Sequence, residues 1–180
     1  MREASPIDEL ADAARSRALI AFTYASEGSH TARHAEPYRL VVHKKRTFLL
    51  AWDVDRDDWR TFRIDRMAGL TRSGGYEPRE IPGDAAAIHQ DDGTPPIRAT
   101  LRFDSTPAGV ADRLLTQEVE LEWTDAGECR VLIWGHSYEW IAAIILSMGM
   151  DFRIDGPEEF RDHCVDLRDR LERAVHPGDD

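Results

Sequence analysis

Between Tyr76 and Arg98 the chain carries Pro78, Pro82, Pro95 and Pro96, with Gly83 and Asp91-Asp92-Gly93, and has little apolar periodicity. Proline lacks the N–H that a helix or sheet needs, so such a stretch cannot lie inside a regular element. It reads as a linker or a long surface loop, and it divides the chain into parts of different rhythm. The expected organisation is a first domain over 1–75, a linker over 76–98 and a second domain over 99–176. A hydrophobic fraction of 42% gives each part enough apolar side chains for a core.

The first part is dense in short strands. Ser5-Pro6 opens a helix, with Ser as N-cap, Pro at the first helical position and Asp8 and Glu9 in the first turn. Its apolar stripe is Ile7, Leu10, Ala11 and Ala14, and it is expected to end near Arg17. Four strands follow: Leu19 to Tyr24, Arg33 to His43, Thr47 to Trp52 and Trp59 to Ile64. Polar turns at Glu27-Gly28, Lys44-Lys45 and 53–58 separate them, and Pro37 marks an edge strand or a bulge. Four short strands at this spacing predict a small β-barrel of SH3 or Sm type.

The second part mixes strands and helices. Strands are expected at Ala99 to Phe103, Val119 to Trp123, Cys129 to Gly135 and Met150 to Ile154. Helices are expected from Thr106-Pro107 to about Leu115 and from Tyr138 to Met148; the latter is apolar nearly all round and reads as buried. A last helix starts at Gly156-Pro157 with the stripe Phe160, Cys164, Leu167, Leu171 and Val175. The order β-α-β-β-α-β plus a terminal helix is ferredoxin-like. The chain as a whole is therefore expected to be α+β, with one sheet face left free to pair. That free face and the aromatics Trp123, Trp134 and Tyr138 suggest a homodimer.

Net charge is −11, but it is unevenly spread. From His30 to Glu80 there are 11 Lys and Arg against 8 Asp and Glu, a net of +3; from Ile81 onward there are 9 against 21, a net of −12. A basic island in an acidic chain remains compatible with a polyanionic partner, because counterion release depends on local clustering. Two cysteines, Cys129 and Cys164, make no CxxC and no disulfide framework, which fits a reducing, cytoplasmic setting. The start of the chain carries acids and no apolar signal segment, and the longest apolar run, Trp140 to Met150, is interrupted and too short to span a bilayer. A soluble protein with no membrane partner is expected.

Catalytic and metal motifs are missing from the sequence. The run 53–58 has Asp58 where a calcium loop needs Gly, and Ile64 where it needs Glu, so it reads as a hairpin turn. The seven histidines form no HxH, HExxH or Cys/His set with zinc spacing. There is no GxSxG, Walker A or GxGxxG. No enzyme activity, cofactor or metal is expected. What remains is the run Arg60-Thr61-Phe62-Arg63-Ile64-Asp65-Arg66. With Arg33 and Arg39 from the preceding hairpin, these arginines are expected to gather at one mouth of the barrel. Guanidinium forks suit phosphate oxygens and stack on bases, and Tyr24, Tyr38 and Trp52 offer stacking faces. Ordinary surface ion pairing is the competing reading for any one of these arginines.

Three segments resemble the WYL domain in the right order. Arg33 to Leu40 is similar to its R-x-x-x-P-x-x-L segment, 47–53 occupies the place of the Trp-Tyr-Leu stretch, and Arg60 to Met67 is similar to R-x-F-R-L-D-R-I. The triplet itself departs, with Thr47 for Trp and Phe48 for Tyr, leaving Leu49. Residues from about 98 to 175 resemble the C-terminal WCX extension, through the opening Ala99 to Phe103 and the segment Gly135 to Gly149.

The resemblance implies a ligand-sensing regulatory module of a bacterial transcriptional regulator. Its ligand would be single-stranded nucleic acid or a nucleotide-like anion, held by Arg33, Arg39, Arg60, Arg63 and Arg66 with Asp53 and Asp65 in support. A DNA-binding winged helix would come from outside this sequence, since only a short helix precedes the first strand. The alternative is a structural dimerisation module with no ligand of its own.

Overall fold

A computed structural model describes residues 5–26, 28–81, 97–114 and 118–176. Helix α1 (Pro6–Arg15) begins as its sequence dictates: the Ser5 hydroxyl accepts from the Ile7 amide at 3.3 Å, and Leu10, Ala11 and Ala13 are buried. It stops two residues earlier than expected. The Ser16 hydroxyl turns back onto the Asp12 carbonyl, and Arg17 takes a positive φ of 53°, which ends the helical run.

Strands β1 (Ala18–Ser26), β2 (Ser29–His43), β3 (Arg46–Asp53), β4 (Asp58–Arg63) and β5 (Met67–Gly75) follow. There are five strands here, not four. The unforeseen β5 is an edge strand paired only with β1 through two irregularities, and nearly all its residues are exposed, so it carries no alternating apolar signal. A closed barrel is not formed. A 3-10 turn at Ile64–Arg66 separates β4 from β5; β4 pairs with β3, β5 pairs with β1, and the sheet stays open. Pro37 lies in the middle of β2, and the pairing with β3 shifts register between Pro37 and Arg39, as a residue without an N–H requires.

The second part contains β6 (Ile97–Phe103), α2 (Pro107–Ala111), β7 (Val119–Trp123), β8 (Cys129–Gly135), α3 (Tyr138–Ser147), β9 (Phe152–Gly156) and α4 (Glu158–Val175). Its strands lie in the order β7-β8-β6-β9, and each neighbouring pair is antiparallel. The expected boundary between the parts is bridged by the sheet itself. Leu40, Val41 and Val42 of β2 pair with Leu121, Glu120 and Val119 of β7, giving, among the described residues, one nine-stranded sheet and four α-helices in an α+β chain.

The core is likewise continuous, from Phe22, Leu49 and Phe62 to Leu101, Ile133, Ile141 and Phe160. Each such side chain contributes about 1.5–3 kcal/mol when fully buried. One expectation about the helices changes. Helix α3 is not buried all round: Ile141, Ala142 and Ile145 face inward, while Leu146 is 54% exposed. Tyr138, one of the aromatics that suggest a homodimer, packs its ring on Phe160 of α4 at 5.5 Å.

Of the expected linker, 82–96 lie outside the described residues. Its first residues are fastened to the sheet. Arg79 donates to the buried Glu36 carboxylate at 2.8 and 3.2 Å and lies 4.4 Å over the Trp52 ring. The Tyr76 hydroxyl donates to the Pro37 carbonyl. Burial pushes the phenol of Tyr76 well above its ordinary range. This clasp fixes where the chain leaves the first part.

Candidate binding cleft at the β1–β4 end

The ends of β1 to β4 enclose a cleft of about 390 Å³. Its geometry starts with strand pairing. Asp53 and Asp58 face each other across the β3–β4 hairpin, as do Ala51 and Arg60, and the two pairs point to the inner face. Tyr24 and Phe62, edge to face at 5.3 Å, form the apolar floor. Arg33 reaches the cleft from β2, and Arg56 from the turn between β3 and β4.

That turn is tied down firmly. The Val54 amide donates to the His34 carbonyl at 2.9 Å, and the Asp55 carboxylate accepts from the His34 amide at 2.8 Å and lies 3.1 Å from its ring Nδ1. Burial raises the Asp55 pKa, but the hydrogen bonds from His34 outweigh it and hold the carboxyl below its usual range. Asp57, with φ of 52°, completes the tight turn.

At the centre lies Asp53, which is 0% exposed. Its Oδ1 accepts from the Asp55 amide at 3.1 Å, while its Oδ2 has no hydrogen-bond partner. The nearest cation is Arg60, whose Nε stands 3.8 Å away and is itself buried without a partner. Arg60 Nη2 also stands 3.9 Å from Asp58. Among the described residues none of the side chains of Arg33, Arg56 and Arg60 donates a hydrogen bond, although the Arg56 amide donates to the Asp53 carbonyl at 3.2 Å, so three guanidiniums with unspent donors line one cleft.

The remaining expected residues go elsewhere. Arg39 points to the junction of the two parts, where Nη1 donates to Glu120 at 3.2 Å. Arg63 and Asp65 are paired with one another, Nε to Oδ1 at 3.0 Å, and this bond draws the Asp65 carboxyl below its usual range. Arg66 is exposed on the 3-10 turn. The structure thus gathers Arg33, Asp53 and Arg60 of the expected set, and adds Arg56 and Asp58, which sequence reasoning missed. Their signal was the acidic turn 53–58, read only as a solvated hairpin. Another depression, between α1 and β7, also contains arginines, but there Arg15, Arg39 and Arg130 are each spent on a carboxylate. Among the described residues no group of His, Cys, Asp and Glu is placed to hold a metal, and no helix is long and apolar enough to cross a membrane.

Comparison with known proteins accounts for nearly the whole chain. Residues 6–72 match the WYL domain, and residues 95–175 match the WCX domain. The chain belongs to the WYL-domain family. Within that family it is 28% identical over 174 residues to Protein PafC of Mycobacterium tuberculosis, covering 90% of this chain and 53% of that protein. It is 27% identical over 181 residues to the HTH-type transcriptional regulator YobV of Bacillus subtilis, covering 87% and 49%. This WYL-domain chain therefore spans about half the length of the curated relatives it matches. Among solved structures, proteasome accessory factor B/C of Arthrobacter aurescens aligns with 86% of this chain and 25% of its own, at 24% identity and a TM-score of 0.41. The cleft of this WYL-domain chain is built wholly from residues inside the matched WYL segment.

Proposed function

We propose that this chain is the ligand-sensing module of a bacterial transcriptional regulator. The ligand is single-stranded nucleic acid or a nucleotide-like anion. The reading is supported by the WYL and WCX matches and by the similarity to YobV, an HTH-type transcriptional regulator. The observation that carries it is the convergence of Arg33, Arg56 and Arg60 on one cleft with no guanidinium hydrogen bond spent on a described residue. Asp53 acts from beneath, holding the Nε side of Arg60 so that its terminal nitrogens serve the ligand. Arg66, exposed on the 3-10 turn just beyond β4, extends the cationic track for a further phosphate, while Arg63 at the end of β4 is spent on Asp65. Arg39, committed to Glu120, has no part in it.

The architecture behind this reading is an open Sm-like sheet joined to a ferredoxin-like module; the strand order β7-β8-β6-β9 supports the second half. In the intact regulator, ligand binding is passed to a winged-helix DNA-binding domain. The setting is cytoplasmic and the role regulatory, not catalytic.

The test is Arg33→Ala with Arg60→Ala, titrated against a fluorescently labelled single-stranded oligonucleotide at several salt concentrations. Losing two phosphate contacts lowers the slope of log affinity against log salt by about 1.4. An unchanged slope and affinity refute the site.

One observation favours a second reading, a homodimerisation module. The apolar stripe of α4 runs out of the core, leaving Leu171 54% and Val175 71% exposed. Light scattering that finds a monomer across the micromolar range removes it.

A further inference from the structure

The ligand reading above leaves open what is recognised beyond negative charge, and the cleft carries more than cations. Arg60 stands between two carboxylates, Asp53 on its Nε side and Asp58 on its Nη2 side, at 3.8 and 3.9 Å. The two differ sharply. Asp53 is sealed at 0% exposed, whereas the Asp58 side chain is 62% exposed and makes no hydrogen bond to a described residue. Arg60 is 40% exposed with its Nε buried, so its accessible part is the terminal fork. The cleft therefore presents a two-pronged donor beside a two-pronged acceptor, above a floor of Tyr24 and Phe62.

We infer that this pair reads an unpaired guanine, an inference that rests on the nucleic-acid reading above. Guanine has two adjacent acceptors, O6 and N7, which suit the fork of an arginine. Next to O6 it has two adjacent donors, N1–H and the exocyclic amine, which suit a carboxylate. Both ionic groups are then engaged twice. Cytosine and thymine offer a carboxylate one donor position each, and adenine sets its amine where O6 would be, against the guanidinium. Arg60 donates to O6 and N7, Asp58 accepts from N1–H and the amine, and Arg33 and Arg56 at the mouth take the phosphate. In a duplex the N1–H and amine are occupied by the partner cytosine. A site that uses Asp58 therefore selects single strands through the base it reads.

The test uses labelled nine-residue thymidine oligonucleotides with one central guanine, hypoxanthine, adenine or cytosine, and guanosine and adenosine monophosphates as competitors. Guanine is expected to bind at least about tenfold more tightly than adenine, and hypoxanthine, lacking the amine, to fall between. Asp58→Asn is expected to abolish the preference while every strand still binds, somewhat more tightly because a negative charge leaves the cleft, a change that loss of folding would not produce. If all strands bind equally, the guanine inference fails and the nucleic-acid reading stands. If no strand binds at low salt, both fail. Guanosine monophosphate competing better than adenosine monophosphate assigns a free nucleotide; preference confined to oligonucleotides assigns a strand.

Discussion

Gly135 closes β8 against the first turn of α3, where no side chain fits. A Cβ there would stand 2.6 Å from Trp140 Cε3 and 2.9 Å from Ile141 Cγ1, and Ile141 is completely buried. Gly135→Ala is expected to destabilise the protein by about 1–3 kcal/mol through overpacking. The midpoint of urea unfolding should fall with an unchanged slope; an unshifted midpoint would mean that the Trp140 ring yields freely. At this scale the sequence was informative about chemistry and poor about company. Arg33, Asp53 and Arg60 were foreseen through the family resemblance, with strand parity adding its weight at Arg60 alone. Arg56 and Asp58 were not, because a turn residue acquires a site only when the hairpin folds it back over the strand ends. Arg39 was misassigned for a similar reason: its partner, Glu120, lies 81 residues away across a junction that no local pattern announces.

Helix α1 shows how one element can hold several others. Asp12 accepts from Arg72 of β5 and from Arg15, and Arg15 also reaches Asp125 in the turn after β7. The Asp8 carboxylate accepts from the Ala108 amide at the start of α2 at 2.9 Å. The bonds from Arg72 first, and Arg15 second, hold the Asp12 carboxyl below its usual pKa. A lowered folded pKa gives stability that is present above the unfolded value of about 3.9 and is lost as pH falls through the folded one. Asp12→Asn is expected to cost about 1 kcal/mol at neutral pH, a modest figure because the site is a third exposed. The deficit should close in acid below the ordinary carboxylate range, as thermal melts across a pH series would record; a deficit constant with pH would deny the linkage. Elements of this kind were legible: Ser5 caps α1 as its sequence suggests, and Thr106 and Ser137 accept amide bonds at the starts of α2 and α3 in the same way. The edge strand β5 was not, because its three glycines and exposed side chains give neither period nor propensity.

Over the whole molecule, the boundary read from the prolines near residue 82 marks a change of rhythm and does not break the packing. The clasp of Arg79 and Glu36, the pairing of β2 with β7 and the shared core bind the two parts. One cooperative transition is expected, with calorimetric and van't Hoff enthalpies equal; two separated transitions would show that the parts are energetically independent. A composition shift reports where the chain is irregular, and only pairing partners report where a domain ends. Strand β2 is the feature with the longest reach. Its 15 residues extend about 50 Å if straight, and about 30 Å of that separates Arg33 at the cleft from Val42 beside β7. Its residues 35–37 and 40–42 are buried on both faces, so it cannot slide by one position without displacing packed side chains at both places. Paired with β1, β3 and β7, it is fixed in register along its length. Cleft and seam are thus ruled off the same length of backbone, and a single residue inserted between Arg39 and Leu40 would put one out of step with the other.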